Sequence, residues 1–406
     1  MRSKLILACQ DSERKCGVGI GASISRIGRL CNRYRYKAPG FKNPRAYINW
    51  FRSNYEMMRQ TSRIRSRPLK LTIDTVNSCQ LRCPLCPTGL QVHDRKVGIM
   101  DIQQFSDLMK EVGDYLFIID FYNWGEPLLN KHIDDFIKLA NSYRISTELS
   151  TNLSFKLDDE RIREIVESGL NEIIVSIDGA TQESYGQYRR RGDIELVLDN
   201  MRRIIAMKHK LNSDTPIMTW RFLVFAFNEH EVEMAREMAN DIGINKFIAT
   251  SAYLDEGYYP VPDHEKELMK DWNPVTPEYR LYDRRENGVF ISKRKQLPVA
   301  SRCDWHYMSA AINSDGGVAP CCVLYKKEDD FGVLGKDSAP GFMDIMNNEK
   351  FVAIRDFFAG KRKEPANLVC ERCPATNIMG YARGVNRDIL MMTINIVIVR
   401  LQRLFH

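Results

Sequence analysis

Short apolar runs alternate with longer helical patterns between residues 69 and 252. Six runs have the length and β-branched content of strands, at residues 69–76, 115–122, 145–150, 172–177, 217–227 and 246–252. Between them, apolar residues recur at helical spacing in residues 101–112, 131–143, 158–168, 194–211 and 229–242. Strands and helices that alternate in this way form βα units on a parallel sheet. The pattern therefore predicts an α/β protein built on a partial (β/α)6 barrel.

Three cysteines follow the first run at the spacing of metal ligands. Cys79, Cys83 and Cys86 lie in one short loop, with three and then two residues between them. Thiolates at this spacing can hold three corners of one metal cluster. The loop contains no fourth ligand, and an open coordination position is typical of a reactive metal site. A zinc knuckle or buried free thiols are the alternative interpretations.

Polar and glycine residues follow the next three runs. Gly125 and Glu126 come after the second run, Asn152 follows the third, and Ser176 and Asp178 close the fourth. The carboxyl ends of parallel strands meet at one edge of a sheet, where the chemistry of such folds gathers. We therefore expect these residues to share one site with the cysteine loop.

This combination resembles the radical S-adenosylmethionine (SAM) superfamily. In that family three cysteines bind a [4Fe-4S] cluster, and SAM chelates the open iron through its amino and carboxylate groups. Gly125 and Glu126, followed by proline, resemble the family's GGEP motif, with Trp124 in place of the first glycine. The resemblance implies that this segment binds the SAM ammonium group, and a carboxylate is a suitable partner for an ammonium.

Three further segments extend the resemblance. Asn152 belongs to a segment similar to the family's TNG element, while Ser176 and Asp178 resemble the SxDG element that approaches the ribose and methionyl part of SAM. Arg189 stands where the family often keeps an arginine for the SAM carboxylate, a pairing that suits its forked guanidinium. The sequence departs from the family at Leu85, where many members have an aromatic residue.

A second cysteine group lies near the C-terminus. Cys303, Cys321, Cys370 and Cys373 resemble the ligands of a SPASM domain, with Cys322 as a spare that could replace Cys321. The sequence of residues 315–322 predicts a hairpin with a glycine turn, which would position Cys321 and Cys322. The three further cysteines of a full SPASM domain are lacking, so the resemblance implies one auxiliary [4Fe-4S] cluster, as in the shortened twitch domains. A zinc ion held by four cysteines is the structural alternative.

The charge of the chain is concentrated at its start. Residues 1–67 carry sixteen Lys and Arg against three acidic residues, whereas the chain as a whole has a net charge of +7. A basic extension of this kind can contact phosphates, anionic lipid or an acidic partner. The sequence contains neither a signal-peptide core nor an apolar stretch long enough to span a bilayer. We therefore predict a cytoplasmic protein, whose clustered cysteines indicate metal sites more than disulfides.

Five segments are expected. Residues 1–67 form the basic extension, 68–256 the barrel, 257–300 a linker or substrate loop, 301–380 the auxiliary cluster domain and 381–406 an amphipathic tail. The predicted apolar face of the tail consists of Leu390, Ile394, Val397, Ile398, Leu401 and Leu404. This face should dock on the protein, with contact to a membrane surface as the alternative.

The resemblance also implies the reaction. One electron from the reduced cluster cleaves SAM to methionine and a 5′-deoxyadenosyl radical, which takes a hydrogen atom from a substrate carbon. We expect oxidation or epimerisation of a sugar or polyol derivative, with a peptide substrate as the alternative and flavodoxin or ferredoxin as the electron donor. A radical SAM methyltransferase, a ferredoxin-like electron carrier and a non-catalytic zinc protein are the rival classes. No catalytic base is assigned, although Tyr122, Tyr253 and Asp255 lie near strand ends.

Overall fold

The computed structural model describes residues 40–251, 271–280, 282–284, 290–292, 303–335, 340–362, 364, 367–372 and 380–404. Three residues named above lie outside the described residues, namely Tyr253, Asp255 and Cys373. Most of the predicted linker at 257–300 lies outside them as well.

Six parallel strands form the centre of the molecule. They are β1 (Lys70–Ile73), β2 (Ile118–Asp120), β3 (Ser146–Thr151), β4 (Glu172–Ser176), β5 (Ile217–Val224) and β6 (Lys246–Ser251). Each strand pairs with the next in chain order, and every one of these pairings is parallel. The predicted α/β fold on six parallel strands is confirmed.

The C-terminal part of the chain extends this sheet rather than forming a separate one. After a small antiparallel ribbon of β7 (Tyr282–Arg284) and β8 (Phe290–Ser292), the chain returns as β9 (Ser309–Ile312), which pairs in parallel with β1. Two antiparallel strands follow, β10 (Gly317–Ala319) and β11 (Gly332–Val333). The predicted hairpin is therefore present as β9 and β10, and its turn includes Gly316 with a φ of 84°. The boundaries of the five segments stay predictions.

Twelve α-helices occur among the described residues. They are α1 (Pro44–Met58), α2 (Pro87–Leu90), α3 (Ile102–Val112), α4 (Ile133–Ser142), α5 (Asp159–Glu167), α6 (Gln182–Tyr188), α7 (Ile194–Lys210), α8 (Val232–Ile242), α9 (Trp305–Met308), α10 (Phe342–Met346), α11 (Glu349–Phe358) and α12 (Gly380–Leu404). The five predicted helices correspond to α3, α4, α5, α7 and α8. Aspartate caps explain several starts, because Asp101, Asp158 and Asp193 each accept a backbone N–H bond in the first turn.

The strands separate apolar from polar side chains. Alternate residues such as Leu71, Ile119 and Leu149 are fully buried in the main core. Most residues between them are polar, including Asp120 and Glu148. Because successive side chains of a strand point to opposite faces, the apolar set packs beneath the helices and the polar set lines the inside of the barrel.

Helix α12 packs at the amino-terminal end of the barrel strands. Its Val385, Ile389 and Met392 are buried, and Met392 and Asp388 line a small cavity together with the first residues of β1, β2 and β3. The tail therefore docks on the protein as expected.

The predicted docking face of the tail is wrong, because Leu390 and Val397 are exposed. The segment is apolar on nearly every side, so periodicity alone could not select the buried face. Among the described helices, none combines the length and apolar character needed to span a bilayer.

Candidate active site

The cysteine loop lies directly beyond the carboxyl end of β1 in an apolar environment. Cys79, Cys83 and Cys86 pack with a small cluster of buried side chains, namely Leu81, Leu85, Tyr188, Phe225 and Trp272. Burial raises the pKa of all three thiols, that of Cys83 to about 11, and the charges of Glu126, Cys83 and Cys86 raise the pKa of Cys79 further. Leu85 stands where many family members have an aromatic residue, and here the nearby aromatic residues shield the loop.

The donor set of the loop fits an iron–sulfur cluster. The three thiols lie close enough together for the charges of Cys83 and Cys86 to act on Cys79, and cysteine thiolates are the ligands of [4Fe-4S] clusters. Thiolates also bind zinc, so the zinc knuckle stays the alternative interpretation.

Gly125 brings the segment after β2 into contact with the strand that leads to the cysteines. Its N–H donates to Oδ1 of buried Asp74 at 3.2 Å, and the N–H of Glu126 donates to the carbonyl of Ser78 at 2.9 Å. A Cβ at position 125 would lie 1.6 Å from the carbonyl oxygen of Val76. The close approach therefore requires glycine.

The Glu126 carboxylate is buried and hydrogen-bonded at both oxygens. Oε1 accepts from the Thr151 hydroxyl at 2.6 Å and from the N–H of Leu128 at 3.2 Å, while Oε2 accepts from the N–H of Asn152 at 2.8 Å. Burial nevertheless raises the pKa of Glu126 to about 7. A cation at this position would relieve the cost of burying the charge.

Asn152 connects the end of β3 to the cysteine loop. Its Nδ2 lies 3.5 Å from the Cys79 sulfur, and its Oδ1 accepts from Nε2 of Gln80 at 2.7 Å. Gln80 stands where asparagine is common in the family, and its longer side chain makes this contact. Asn152 therefore fixes the orientation of the loop at its first cysteine.

Asp178 and Arg189 form a buried ion pair on the other side of the loop. The Nε of Arg189 donates to Oδ2 of Asp178 at 2.5 Å, and a terminal nitrogen of Arg189 lies 3.9 Å from the Cys83 sulfur. Although burial opposes its charged form, Asp178 and Cys83 hold the pKa of Arg189 well above its usual value. The site thus presents a buried carboxylate, Glu126, and a largely buried guanidinium, Arg189, around one set of thiols.

Among the C-terminal cysteines, Cys303 precedes β9, whereas Cys321 and Cys322 directly follow β10. Burial raises the pKa of the Cys321 thiol, and neighbouring Cys322, Cys370 and Cys303 raise it further. Cys322 has different surroundings, because the charges nearest to it are Asp120 and Lys70 inside the barrel. Cys321 therefore lies near Cys303 and Cys370, whereas Cys322 lies near Asp120 and Lys70.

Arg95, which sequence reasoning missed, joins the two cysteine regions. Its guanidinium forms ion pairs with Asp330 at 2.6 Å and Asp315 at 2.9 Å, and it donates to the carbonyl of Tyr325 at 3.0 Å. Arg95 follows the cysteine loop by nine residues, whereas its partners lie more than two hundred residues further on. No local pattern could have revealed this contact.

Two family models cover these two regions. Residues 73–239 match the radical SAM superfamily, and residues 303–374 match the SPASM iron–sulfur cluster-binding domain. The chain is a radical SAM enzyme. The match confirms the resemblance, and the cofactors of this enzyme are SAM and [4Fe-4S] clusters.

Curated relatives of this radical SAM enzyme have different reactions. It is 24% identical to a probable GTP 3′,8-cyclase of Methanocaldococcus jannaschii over 69% of this chain and 94% of the relative. It is 28% identical to the S-adenosyl-L-methionine-dependent 2-deoxy-scyllo-inosamine dehydrogenase of Niallia circulans, over 30% of this chain and 48% of the relative. Identities at this level do not select one reaction.

The fold of the radical SAM enzyme is similar to that of SuiB from Streptococcus suis, solved with bound S-adenosylmethionine. The TM-score is 0.51 at 12% identity, over 78% of this chain and 73% of SuiB. At this identity the similarity supports the shared fold alone.

Below the cysteine loop, the inside of the barrel is polar. Ser176 faces Ser150 across a gap of 3.5 Å, and Nη2 of Arg221 donates to both hydroxyls at 3.0 Å. Tyr122 donates its hydroxyl to Glu148 at 3.0 Å. The Nε of Arg221 is buried and has no hydrogen-bond partner in the described part of the chain. The role of Arg221 could not be predicted from the sequence, because a single charged residue in an apolar strand does not indicate which distant residues it contacts.

Proposed function

We propose that this enzyme abstracts a hydrogen atom from a carbon of a sugar or polyol derivative and oxidises or epimerises it. The polar interior of the barrel is the observation that carries this proposal. It offers hydroxyl, carboxylate and guanidinium groups directly below the cysteine loop. Donors and acceptors interleaved in this way suit a hydroxyl-rich molecule better than an apolar one.

Three cysteines are proposed to hold the SAM-binding cluster, namely Cys79, Cys83 and Cys86. A [4Fe-4S] cluster held by these cysteines would supply the electron for cleavage of SAM to methionine and a 5′-deoxyadenosyl radical. The surrounding apolar side chains exclude water from this site. A dry site also strengthens the electrostatic contacts that hold SAM.

The other residues of the site are proposed to orient SAM. Glu126, supported by Thr151, accepts the ammonium of the methionyl group, and Gly125 allows the backbone to approach. Arg189 binds the SAM carboxylate with its terminal nitrogens, because its Nε is held by Asp178. The negative Glu126 and the positive Arg189 thus bind the two oppositely charged groups of the methionyl part and fix its orientation.

Three of the proposed SAM ligands also shape the space around it. Asn152 and Asp178 face the ribose and methionyl part of SAM, and Ser176 lies at the boundary between SAM and the substrate. The contact between Ser176 and Arg221 supports that boundary.

One auxiliary [4Fe-4S] cluster is proposed on Cys303, Cys321, Cys370 and Cys373. The proximity of Cys321 to Cys303 and Cys370 supports the choice of Cys321 over Cys322. An auxiliary cluster would accept the electron of a substrate radical, which favours oxidation. Flavodoxin or ferredoxin is the proposed external electron donor, and the cytoplasm is the proposed compartment because clusters and free thiols need reducing conditions.

Inside the barrel, Arg221 and the Tyr122–Glu148 pair are proposed to bind substrate hydroxyls. The Nε of Arg221, which has no hydrogen-bond partner among the described residues, can donate to an oxygen of the substrate. One relative is a 2-deoxy-scyllo-inosamine dehydrogenase, and this similarity supports a polyol substrate.

The test measures 5′-deoxyadenosine formed by the reduced enzyme in the presence of polyols, aminocyclitols and short peptides. A polyol or aminocyclitol should stimulate its formation. Deuterium on the reactive carbon of the substrate should be transferred to 5′-deoxyadenosine. Arg221→Gln should abolish the stimulation but keep the slow background cleavage of SAM. Stimulation by peptides alone would contradict the proposed substrate class, and formation of S-adenosylhomocysteine would favour a methyltransferase.

A further inference from the structure

Helix α1 has one face that is buried against the protein and an opposite, apolar face that no described residue covers. The inner face is buried and includes Ala46, Ser53 and Glu56. The outer face presents large apolar side chains at helical spacing, each 59% to 71% exposed, namely Ile48, Phe51, Tyr55 and Met58. Burying such side chains is favourable, so an exposed row of four marks a contact surface.

Arginines accompany this exposed row along the same helix. Arg45, Arg52 and Arg59 recur every seven residues and are all exposed, so they form a stripe beside the apolar side chains. The one acidic residue of α1, Glu56, is buried and accepts from the Ser66 hydroxyl at 2.6 Å. The outer face therefore carries positive charge that no carboxylate of the helix offsets. In sequence, residues 1–39 add nine Lys and Arg against two acidic residues.

Helix α12 extends the same surface. Its Asn386 accepts from Nε1 of Trp50 at 2.6 Å and exchanges hydrogen bonds with Asn54. One turn beyond Asn386, Leu390 is 48% exposed, and Val397 lies two turns further on and is 42% exposed. Side chains four residues apart share a helix face, so these apolar residues adjoin the row on α1. We call the combined surface of α1 and α12 the basal face.

The basal face lies at the opposite end of the barrel from the cysteine loop. Helix α1 contacts residues that immediately precede strands, since Tyr47 packs on Phe117 and Ser53 donates to the carbonyl of Tyr307. The cysteine loop follows the carboxyl end of β1. An electron donor to the SAM-binding cluster must approach the cysteine loop closely, so this distant surface does not suit flavodoxin or ferredoxin as the donor to that cluster.

We propose that the basal face binds an anionic membrane surface. An apolar row flanked by arginines is the arrangement of a helix that lies in the bilayer interface, with arginines at the headgroups and apolar side chains in the acyl boundary. Binding through the basal face holds the barrel above the membrane with its cysteine loop directed away from the lipid. The partner is thus defined by its chemistry as phospholipid with a net negative headgroup charge.

Sedimentation of the full-length protein with vesicles tests this proposal. Vesicles of phosphatidylcholine alone should bind it weakly, vesicles that also contain phosphatidylglycerol should bind it strongly, and salt should reverse the strong binding. The variant F51S/M58S should reduce binding about tenfold or more. R52Q/R59Q should reduce it by about fivefold for each arginine, and only on anionic vesicles. The matched controls are M234S/V275S and R163Q/R202Q, which change exposed side chains elsewhere and should bind as the wild type does.

Three results would overturn the proposal. Failure of the wild type to bind anionic vesicles would exclude a lipid partner. Equal binding by wild type and F51S/M58S would mean that another part of the chain, such as residues 1–39, makes the contact or covers the basal face. A dimer in vesicle-free sedimentation velocity that F51S/M58S dissociates would assign the basal face to a second copy. Because the substituted side chains are exposed, we expect every variant to remain folded. Thermal unfolding verifies this.

Discussion

Arg189 donates through Nε to Asp178 at 2.5 Å while its terminal nitrogen lies 3.9 Å from the Cys83 sulfur. The pair links the end of β4 to the cysteine loop and is almost completely removed from water. Its geometry leaves the terminal nitrogens of the guanidinium directed toward the thiols. One ion pair therefore serves both the packing of the loop and the proposed recognition of the SAM carboxylate.

Arg189→Gln should weaken both the fold and SAM binding. Removing the cation leaves Asp178 buried without its partner, which costs about 3–5 kcal/mol of unfolding free energy. Urea unfolding and calorimetric titration with SAM measure the two effects. Arg191→Gln is the control, because Arg191 is an exposed neighbour that should leave both unchanged. Unaltered SAM affinity in a folded Arg189→Gln protein would refute the proposed contact.

Gly125→Ala should abolish cleavage of SAM. The added methyl would lie 1.6 Å from the carbonyl of Val76, so the segment that carries Glu126 must move away from the cysteine loop. The measurement is 5′-deoxyadenosine formation at saturating SAM. Gly186→Ala provides the comparison, because its methyl would lie at an ordinary 3.5 Å from Gln182. Full activity of Gly125→Ala would show that the close approach is dispensable.

Arg95→Gln should destabilise the connection between the barrel and the auxiliary cysteines. It leaves Asp330 and Asp315 without their shared cation, at a cost of about 3–5 kcal/mol. We expect a lower midpoint of thermal unfolding and loss of iron from the auxiliary site before the SAM site. Lys96→Gln is the neighbouring exposed control. Equal iron retention at both sites would contradict this role of Arg95.

His306 should make stability depend on pH. Burial, together with the charge of Arg355, holds the pKa of His306 well below its usual value, and its ring stacks on Phe358. The folded protein keeps the imidazole neutral, whereas the unfolded chain binds a proton below about pH 6.5. Stability present above that pH is therefore lost as the pH falls, by about 1.4 kcal/mol for each pH unit.

Urea unfolding at pH values from about 8 to 5 measures this dependence. His306→Phe should remove the His306 part of the slope, because a phenyl ring can take the same stacked position without titrating. His132→Phe, at an exposed site, should keep the wild-type slope. An unchanged slope in His306→Phe would contradict the assignment.

The strands and helices of the barrel, and most residues of the candidate site, could be predicted from the sequence because they follow local patterns. Apolar periodicity marked the six strands and five helices, and the spacing of Cys79, Cys83 and Cys86 marked the site. Motif residues such as Glu126 and Asp178 could be placed at strand ends because parallel strands bring those ends together.

Contacts between distant segments could not be predicted in this way. The pairing of β9 with β1, the ion pairs of Arg95 and the contact of Arg221 with two serines depend on residues far apart in the chain. The buried face of α12 also escaped prediction, since apolar residues such as Leu390 occur around most of the helix. Packing against the barrel, rather than the sequence of the helix itself, selects Ile389 and Met392 for burial.

The most direct test of the account is anaerobic reconstitution with iron and sulfide, followed by dithionite and SAM. The account predicts about eight irons per chain, as two [4Fe-4S] clusters require, and formation of 5′-deoxyadenosine. Cys83→Ala should form none, whereas Cys322→Ala, which changes the thiol that faces Asp120 and Lys70, should retain SAM cleavage. Tightly bound zinc in place of iron, or 5′-deoxyadenosine formation by Cys83→Ala at the wild-type rate, would contradict the account.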